Sequence, residues 1–380
     1  MKLDSYNTMK NPFIFGRAVM GKYFVDREED INALRSAMLS GQHVVLFSPR
    51  KMGKTSLIKE TFRRTEEAIC IHLDLWQVTS TYSLGKEIIN SVVNETYGSI
   101  EKLGRDLKDL FKALRPKISI DMEGHIGVEL ERGEEGEVLI LKEALNFPEN
   151  VARKKGVKLI IAFDEFQEIE HLDGLELEKL FRSILQHHEN VSYIFAGSER
   201  SLINIIFGAK ERPFYRFAKH IVLEPIDREV LVRFVVNKFA ASGKRIDMDA
   251  ARWTVEFSEG IPYYVQHICH EVWYMAEKEI KRELVEKAIG ERILPGLSSG
   301  FEVIWKGIKS EGQRKLLIGI ANENKPQIYS QRFIEKYRLK SPGHVRKAIK
   351  SLEGIGLIEE DRIWDIFFRE WVKQNFYSAI

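Results

Sequence analysis

Cysteine is scarce in this chain of 380 residues, in which only Cys70 and Cys269 occur. Two thiols cannot build a disulfide framework or a cysteine-based zinc site, and so low a number is typical of a reducing compartment. The ten histidines show no spacing typical of metal ligands. The sequence therefore gives no support for a zinc site and favours a cytoplasmic location.

Long apolar runs and an excess of charge are also lacking. No uncharged apolar run approaches the roughly 18 residues that a membrane-spanning helix needs. The first residues, MKLDSYNTMKNPFIFG, lack the apolar core of a signal peptide. The 58 lysines and arginines nearly balance the 56 acids, which gives a net charge of +2. We therefore expect a soluble intracellular protein, in which any nucleic-acid surface must be a local patch.

The first half of the chain contains five short runs rich in β-branched and aromatic residues, separated by segments of helical periodicity. The runs are HVVLF (43–47), AICIHLDL (68–75), VKLIIAFDE (157–165), VSYIFAGS (191–198) and HIVLEPI (220–226). Nearly continuous apolar strands between helices are typical of a parallel sheet covered on both faces. We predict an α/β domain with such a sheet in residues 1–226.

Residues 100–155 interrupt this alternation. The stretch ISIDMEGHIGVELERG alternates apolar and polar residues around Glu123 and Gly124, which predicts an inserted β-hairpin. The residues give no indication of what the insertion does.

Strand-like runs end after Pro225. The segments that follow have helical periodicity, which predicts a helical lid domain over 227–298, with LPGLSSG (294–300) as a linker. Residues 299–380 predict a winged helix-turn-helix domain. Its recognition helix would be SPGHVRKAIKSL, with Ser341 as the N-cap, and its β-ribbon would be GLIEEDRIWDIF.

The stretch LFSPRKMGKTSLIKE (46–60) matches the phosphate-binding loop pattern GxxxxGK[ST] except at the first position, where Ser48 replaces glycine. Gly53 would let the backbone approach phosphates, and the helix start would supply partial positive charge. Lys54 would reach the β- and γ-phosphates, and Thr55 would hold Mg²⁺. The alternative is a turn followed by a basic helix start. The predicted nucleotide-binding residues of the loop are Ser48, Pro49, Arg50, Lys51, Met52, Gly53, Lys54, Thr55 and Ser56.

Two acids follow another apolar strand, in LIIAFDEFQEI. Because the carboxyl ends of parallel strands meet at one edge of a sheet, Asp164 and Glu165 should lie beside the loop. Asp164 would then bind Mg²⁺ beside Thr55, and Glu165 would act as the general base for the attacking water. The alternative is a strand that simply ends in solvated acids. The two motifs together predict a site for ATP or ADP with Mg²⁺.

Further polar residues follow the next strand. Ser198, in IFAGSERS, could sense the γ-phosphate through its hydroxyl group, or it could belong to an ordinary turn. In KERPFYRFAKH, either Arg212 or Arg216 could act as an arginine finger, in cis or across a subunit boundary. The alternative is a solvated basic loop. We select Ser198 and Arg216 as catalytic candidates beside Glu165 and Lys54.

These motifs, in this order, resemble the archaeal ATPase family of the STAND branch of AAA+-type P-loop NTPases. The similar segments are FVDRE (24–28) before the loop, PRKMGKTSL, IIAFDEFQ, GSERSLI, PFYRFA and EGIPYYV (259–265). The resemblance extends over nearly the whole chain, including the winged helix. Two positions depart from the family pattern: Ser48 at the start of the loop, and Tyr215, where the family usually has glycine before the arginine.

The resemblance implies further site residues. The backbone around Val25, Asp26 and Arg27 would line an adenine pocket, and Pro262 would pack on the base. Arg27 or Glu28 would tie that pocket to the core. The residues themselves also allow a plainer interpretation, an acidic helix start with Asp26 as its N-cap.

The C-terminal part contains a local excess of positive charge. Residues 312–350 contain ten basic residues and only two acids, which makes this segment a candidate surface for the phosphate backbone of DNA. His344, Arg346 and Lys347 would face a DNA groove. Winged helices also act in protein interaction or autoinhibition, so a protein partner or self-association remains an alternative.

Three functions fit these observations. The first is an ATPase whose hydrolysis cycle moves the lid and the winged helix. The second is a slow switch in which ADP holds a closed state and ATP opens it for a partner. The third is a DNA-binding protein regulated by nucleotide. Glu165 favours the first function, because nucleotide binding alone does not need a carboxylate at that position.

Overall fold

A computed structural model describes residues 10–25, 27–111, 116–120, 126–130, 136–198, 200–323 and 326–376. The chain divides into two compact units. The first comprises residues 14–230 with 261–263, and the second comprises the described residues of 10–13, 231–260 and 264–376.

The strands and helices of the described residues are numbered here in chain order. The strands are β1 (Val44–Phe47), β2 (Ile69–Asp74), β3 (Pro116–Ile120), β4 (Ile126–Leu130), β5 (Leu159–Asp164), β6 (Val191–Gly197), β7 (Lys219–Val222), β8 (Arg245–Ile246), β9 (Glu279–Ile280), β10 (Ile358–Glu359) and β11 (Arg362–Ile363). The α-helices are α1 (Glu28–Leu39), α2 (Lys54–Arg63), α3 (Thr81–Thr96), α4 (Ile100–Leu110), α5 (Gly136–Lys155), α6 (Gly174–Leu185), α7 (Arg200–Gly208), α8 (Arg228–Ala241), α9 (Met248–Phe257), α10 (Pro262–Met275), α11 (Arg282–Ala288), α12 (Leu294–Gly307), α13 (Glu311–Asn322), α14 (Gln331–Lys336), α15 (Pro342–Gly354) and α16 (Ile366–Phe376).

The first unit is built on a parallel sheet with the strand order β2-β5-β6-β1-β7. All five predicted strands are confirmed. Strands β1, β5 and β6 are buried along their whole length, as their uninterrupted apolar sequences require. Only β6 separates β1 from β5, so the ends of β1 and β5 lie about 10 Å apart at the same edge of the sheet.

The predicted insertion is a helix pair with a hairpin. Strands β3 and β4 pair antiparallel, which confirms the hairpin, while Glu123 and Gly124 lie outside the described residues. Helix α3 holds the outer edge of β4. Asn94 accepts a 2.9 Å hydrogen bond from the Ile126 amide, and Asn90 accepts one of 2.8 Å from the Val128 amide. Two asparagines four residues apart on one helix thus take the place of a neighbouring strand.

The second unit is mainly helical, but two expectations for it were wrong. Strands do occur after Pro225, since β8 and β9 form a two-residue parallel pair. The predicted linker 294–300 is the start of helix α12. Pro295 occupies its first turn, where a missing N–H costs nothing, and the π-helical turn Ile289–Ile293 joins it to α11.

The last part has the predicted winged-helix elements. Helices α13, α14 and α15 are followed by the antiparallel ribbon of β10 and β11. Ser341 caps α15 as predicted, with its hydroxyl group accepting a 3.3 Å hydrogen bond from the His344 amide. Helix α16 begins at Ile366, so the end of the predicted ribbon is helical. In the part of the chain that the structure describes, no helix has the length and apolar character needed to cross a membrane.

Candidate functional site

The loop between β1 and α2 has the backbone of an anion-binding turn. Lys51 and Gly53 adopt left-handed conformations, with φ of 68° and 92°. Gly53 is the N-cap of α2, and no side chain caps that helix end. The first turn of α2 contains no acid. The first amides of a helix have no partner within the helix, so this end offers N–H groups and partial positive charge to an anion.

Ser48 takes the place of the usual first glycine without strain. Its φ is not positive, because the left-handed turns of the loop fall on Lys51 and Gly53 instead. The Ser48 side chain is fully buried, and its hydroxyl group donates a 3.1 Å hydrogen bond to the Pro49 carbonyl. The loop therefore needs no glycine at this entry position.

Lys54 lies inside the curve of the loop. Its side chain is buried, and its Nζ donates to the carbonyl of Ser48 at 2.9 Å and to that of Pro49 at 3.4 Å. Both acceptors are carbonyl oxygens of the loop itself, and the charge of Lys54 also acts on the carboxylate of Asp164. The amine is thus held inside the loop that would surround the phosphates.

Thr55 and Asp164 meet across the sheet edge, as predicted. Thr55 Oγ1 donates a 2.6 Å hydrogen bond to Asp164 Oδ2. His72 on β2 was not predicted, and its Nε2 lies 3.1 Å from the same oxygen. Burial opposes ionisation of Asp164, but the hydrogen bonds from His72 and Thr55 and the charge of Lys54 outweigh it and lower its pKa. A hydroxyl group beside a buried carboxylate provides the oxygen ligands that Mg²⁺ prefers.

Glu165 has its carboxylate held by two neighbours. Ser198 Oγ donates to Glu165 Oε2 at 2.7 Å, and Gln167 Nε2 donates to the same oxygen at 2.5 Å. The backbone of Glu165 is left-handed, with φ of 52°, a conformation that costs a non-glycine residue energy and is frequent at functional sites. Gly197 lies beside this group, and a Cβ there would approach Gln167 Oε1 to 2.6 Å. Gly197 and Gln167, like His72, were missed by the sequence analysis.

The two candidate arginines have different environments. Arg212 is half-buried and forms ion pairs with Glu178 and Glu170, including a 3.0 Å hydrogen bond from Nε to Glu178 Oε2. Its charge is therefore already used inside the first unit. Arg216 is exposed, adopts φ of 55°, and has its guanidinium group 5.1 Å from the ring of Tyr215. Of the two, Arg216 remains the candidate for an arginine finger.

The segment before α1 contacts the phosphate-binding loop through Arg27. This buried side chain donates to the Met52 carbonyl at 3.3 Å, to the Glu224 carbonyl at 2.9 Å and to Asp30 at 2.9 Å. Arg27 thus ties the segment to both the loop and the residues that follow β7. Val25 is buried, and Asp26 lies outside the described residues. The N-cap of α1 is Arg27 and not the expected Asp26, and the Arg27 side chain does not cap the helix.

Helix α10 brings two residues to the first unit. Pro262 is its first residue and is half-buried. Tyr263 was not predicted. Its ring contacts that of Phe15 edge-on, with 6.2 Å between centroids, and lies 5.0 Å from Lys51 Nζ. Tyr263 therefore joins the segment before α1 to the phosphate-binding loop.

The remaining loop residues differ in exposure. Met52 and Ser56 are buried, Pro49 is half-buried and Arg50 is exposed. Ser56 Oγ accepts a 3.0 Å hydrogen bond from the Val19 amide, so this hydroxyl group binds another part of the chain.

The predicted DNA-binding residues all lie exposed on α15, but not on one face. His344 and Arg346 lie two positions apart and therefore point to opposite flanks of the helix. His344 faces α13, since it lines a cavity with Gly312 and Lys315. Arg346 has its guanidinium group 5.9 Å from the ring of Tyr329. Lys347 points away from the buried residues of α15.

Comparison with solved structures shows the same fold in several proteins. A Walker-type ATPase of Pyrococcus abyssi has 20% identity and a TM-score of 0.67, over 95% of this chain and 99% of that one. The Aeropyrum pernix ORC2 protein in its ADPNP-ADP complexes has 14% identity and a TM-score of 0.54, over 93% of each chain. The Aeropyrum pernix ORC1 protein in complex with DNA has 13% identity and a TM-score of 0.51, over 94% of each chain. At these identities the matches show a shared fold alone.

Sequence comparison assigns the family. No curated protein sequence matches the chain. A family model described as "Probable winged helix domain" matches residues 300–374. A second model, described as "ATPase domain predominantly from Archaea", matches residues 24–268, which include the loop, the strand-end acids and the start of α10. The chain therefore belongs to this ATPase family, whose members are predominantly archaeal.

Proposed function

We propose that the chain hydrolyses ATP in a Mg²⁺-dependent reaction at the site formed by the loop and the ends of β5 and β6. The observation that supports this most directly is the 2.6 Å hydrogen bond between Thr55 and Asp164, which joins two motifs 109 residues apart. Ser198 and Glu165 lie at the same edge of the sheet. A hydrolytic site of this class needs a phosphate cradle, oxygen ligands for a cation and a base, and the described residues offer a candidate for each.

The described residues fit both phosphates and Mg²⁺. The uncapped start of α2 and the buried Lys54 amine would hold the phosphates. Thr55 and Asp164 would hold Mg²⁺, which neutralises charge that develops on the phosphate oxygens. Mg²⁺ usually keeps several waters and takes one or two carboxylates, so two protein ligands suffice.

Each remaining residue has a definable part in the reaction. Glu165 would accept the proton of the attacking water. Ser198 orients that carboxylate in the described structure and would contact the γ-phosphate once it is bound. Arg216 is exposed and could stabilise transition-state charge from its own or a neighbouring subunit. Pro262, together with the segment at Val25, Asp26 and Arg27, would enclose the base.

We also propose that nucleotide state is coupled to the second unit through α10. The first residues of this helix belong to the first unit, and the remainder of the helix belongs to the second. Tyr263 contacts Lys51 of the loop, so a change in the loop on phosphate binding would act directly on α10. Limited proteolysis in ADP and in a non-hydrolysable ATP analogue would test this, and identical digestion would argue against a nucleotide-dependent switch as well.

Measured turnover tests the hydrolytic assignment. Glu165→Gln and Lys54→Ala should each lower ATP turnover by at least about 100-fold, because they remove the base and the phosphate-binding charge. Lys59→Ala, on the same helix, is a matched control and should leave turnover unchanged. Equal rates in the wild type and both site variants would remove the assignment.

Binding of duplex DNA by the winged helix is a second candidate function. Its support is the charge of α15 and the turn before it, where no ion pair of the described residues includes Lys347, Lys350 or Arg338. Duplex affinity measured against salt should fall steeply, and neutralising Arg346 and Lys347 together should reduce the slope by roughly 1–2. Lys306→Gln, outside α15, is the control. A flat salt dependence would exclude phosphate-backbone binding.

A further inference from the structure

One face of α2 binds the segment that precedes the ATPase motifs rather than the sheet. Ser56, Glu60 and the C-cap residue Arg64 are spaced four residues apart, so their side chains follow one another along the helix. Each of the three contacts a different point of the chain between residues 19 and 28. We call residues 19–25 the strap.

Two of these contacts hold backbone amides of the strap. Ser56 Oγ accepts a 3.0 Å hydrogen bond from the Val19 amide, and Glu60 Oε2 accepts one of 2.8 Å from the Gly21 amide. Irregular backbone has no ladder of its own to satisfy its N–H groups, so these side chains supply its acceptors. The strap is thus fixed to α2 at two successive points.

Arg64 extends the same row to the start of α1. Its Nη1 donates to both carboxylate oxygens of Glu28, at 2.6 and 2.9 Å, and its Nε donates to Glu60 Oε1 at 2.7 Å. Arg64 therefore links the first residue of α1 to the carboxylate of Glu60, which holds the strap. A single guanidinium nitrogen thus serves both oxygens of Glu28, while Nε of the same side chain binds Glu60.

Glu60 is the central member of the row. Its side chain is fully buried, and it also accepts two hydrogen bonds from Arg63. The hydrogen bond from Arg63 lowers the pKa of Glu60 to about 2 against the effect of burial, with help from the Gly21 amide and Arg64. A buried carboxylate is costly unless it is fully paired, so the Gly21 amide is part of what makes this position tolerable.

The strap and the phosphate-binding loop are consequently connected in two ways, through α2 and through Arg27. The loop leads directly into the helix at Lys54. Beyond the strap, Arg27 donates to the Met52 carbonyl of the loop. The base side and the phosphate side of the nucleotide site are therefore two parts of one hydrogen-bonded assembly.

We propose that Ser56, Glu60 and Arg64 are positioning residues that fix the strap as the base-side wall of the nucleotide site. This inference rests on the proposed ATP site. It predicts that the row contributes to binding of the nucleoside part of the ligand and not to binding of its phosphates. Val25, at the end of the strap, would transmit that positioning to the base.

Comparing two ligands tests this inference. Calorimetry with Mg²⁺ would give the Kd of ADP, which has a base, and of inorganic tripolyphosphate, which has none. Glu60→Gln and Arg64→Gln should each weaken ADP binding about tenfold, equivalent to roughly 1.4 kcal/mol, and change tripolyphosphate binding less than about twofold. Lys59→Gln is the matched control on the same helix, because no hydrogen bond or ion pair of the described residues joins Lys59 to Glu60 or to the strap, and it should change neither Kd.

A second measurement follows the strap itself. Hydrogen exchange without nucleotide should accelerate in the peptide that contains Val19 and Gly21 when Glu60 is replaced, and the peptide that contains α2 should keep its protection. Equal weakening of both ligands, or unchanged ADP binding with a loosened strap, would overturn the positioning role. If the wild type bound tripolyphosphate but not ADP, the assignment of the strap to the base side of the site would be wrong. If it bound neither, the proposed function itself would fail.

Discussion

Ser198 and Glu165 are joined by a 2.7 Å hydrogen bond from the serine hydroxyl group to the glutamate carboxylate, at the ends of adjacent strands β6 and β5. The serine therefore determines where the proposed general base points. Replacing it with alanine should lower kcat about tenfold with little change in KM, because the base would lose its orientation while the phosphate-binding loop stayed intact.

The variant Ser198→Thr tests whether the hydroxyl group, and not the size of the side chain, is what turnover requires. Threonine keeps the hydroxyl donor and should retain most of the turnover. Steady-state kinetics of the three proteins would decide the matter. If alanine matched the wild type, Glu165 would not depend on this hydrogen bond, and Gln167 Nε2 would be its effective partner.

The pair formed by Thr55 and Asp164 predicts a change in metal dependence. Asp164→Asn removes the charged oxygen ligand and should raise the Mg²⁺ concentration needed for half-maximal turnover at least about tenfold. Thr55→Ser keeps the hydroxyl group that donates to Asp164 at 2.6 Å and should behave nearly as the wild type, while Thr55→Val should resemble Asp164→Asn. Titrating turnover with Mg²⁺ measures this, and a common midpoint for all four proteins would contradict the assignment.

Gly197 predicts a stability effect at the same edge of the sheet. A Cβ at this position would lie 2.5 Å from Ile203 Cδ1 and 2.6 Å from Gln167 Oε1, closer than atoms can pack. Gly197→Ala should therefore lower the free energy of unfolding by about 1–3 kcal/mol and displace Gln167 from Glu165. Gly208→Ala is the control, since a Cβ there meets nothing within 4 Å. Denaturant unfolding of both variants would show the difference, and equal midpoints would contradict the prediction.

The sequence predicted those features that depend on local pattern. The central strands β1, β5 and β6 are nearly unbroken apolar runs, and the loop and the acid pair directly follow β1 and β5, so parallel pairing brings Thr55 to Asp164. Ser341 was predicted as a cap because its contact is to an amide three residues ahead. Such contacts are visible as spacing in the sequence.

Other features depend on contacts between distant segments and leave no local signal. Glu60 looks like an ordinary solvated helix acid, yet it is fully buried because the strap covers it. His72 and Tyr263 likewise contact residues that are distant in the sequence, Asp164 and Lys51 respectively. The linker prediction failed for a related reason: LPGLSSG has the composition of a loop, but it follows the π-helical turn directly and forms the first residues of α12.

Two half-buried histidines, His43 and His188, predict how the stability of the first unit depends on pH. Burial lowers the pKa of His43 to about 4, with a further effect from the charge of Arg182. Burial likewise lowers the pKa of His188 to about 4, although the charge of Glu149 opposes this shift. Both contact Tyr193: His43 Nδ1 accepts its amide at 3.3 Å, and His188 Nδ1 lies 2.8 Å from its hydroxyl group. Protonation of His43 would remove the acceptor.

Because these pKa values are lowered in the folded state, the unfolded chain takes up protons first. Their contribution to stability is complete above pH 6.5 and should fall as the pH drops from about 6.5 to 4, by up to roughly 1.4 kcal/mol per pH unit for each histidine. Unfolding of the wild type and of His43→Gln at a series of pH values would measure it. The variant should lose about half of the slope in this window, while His171→Gln, at an exposed position, should keep all of it. A slope unchanged in His43→Gln would show that other groups cause the acid sensitivity.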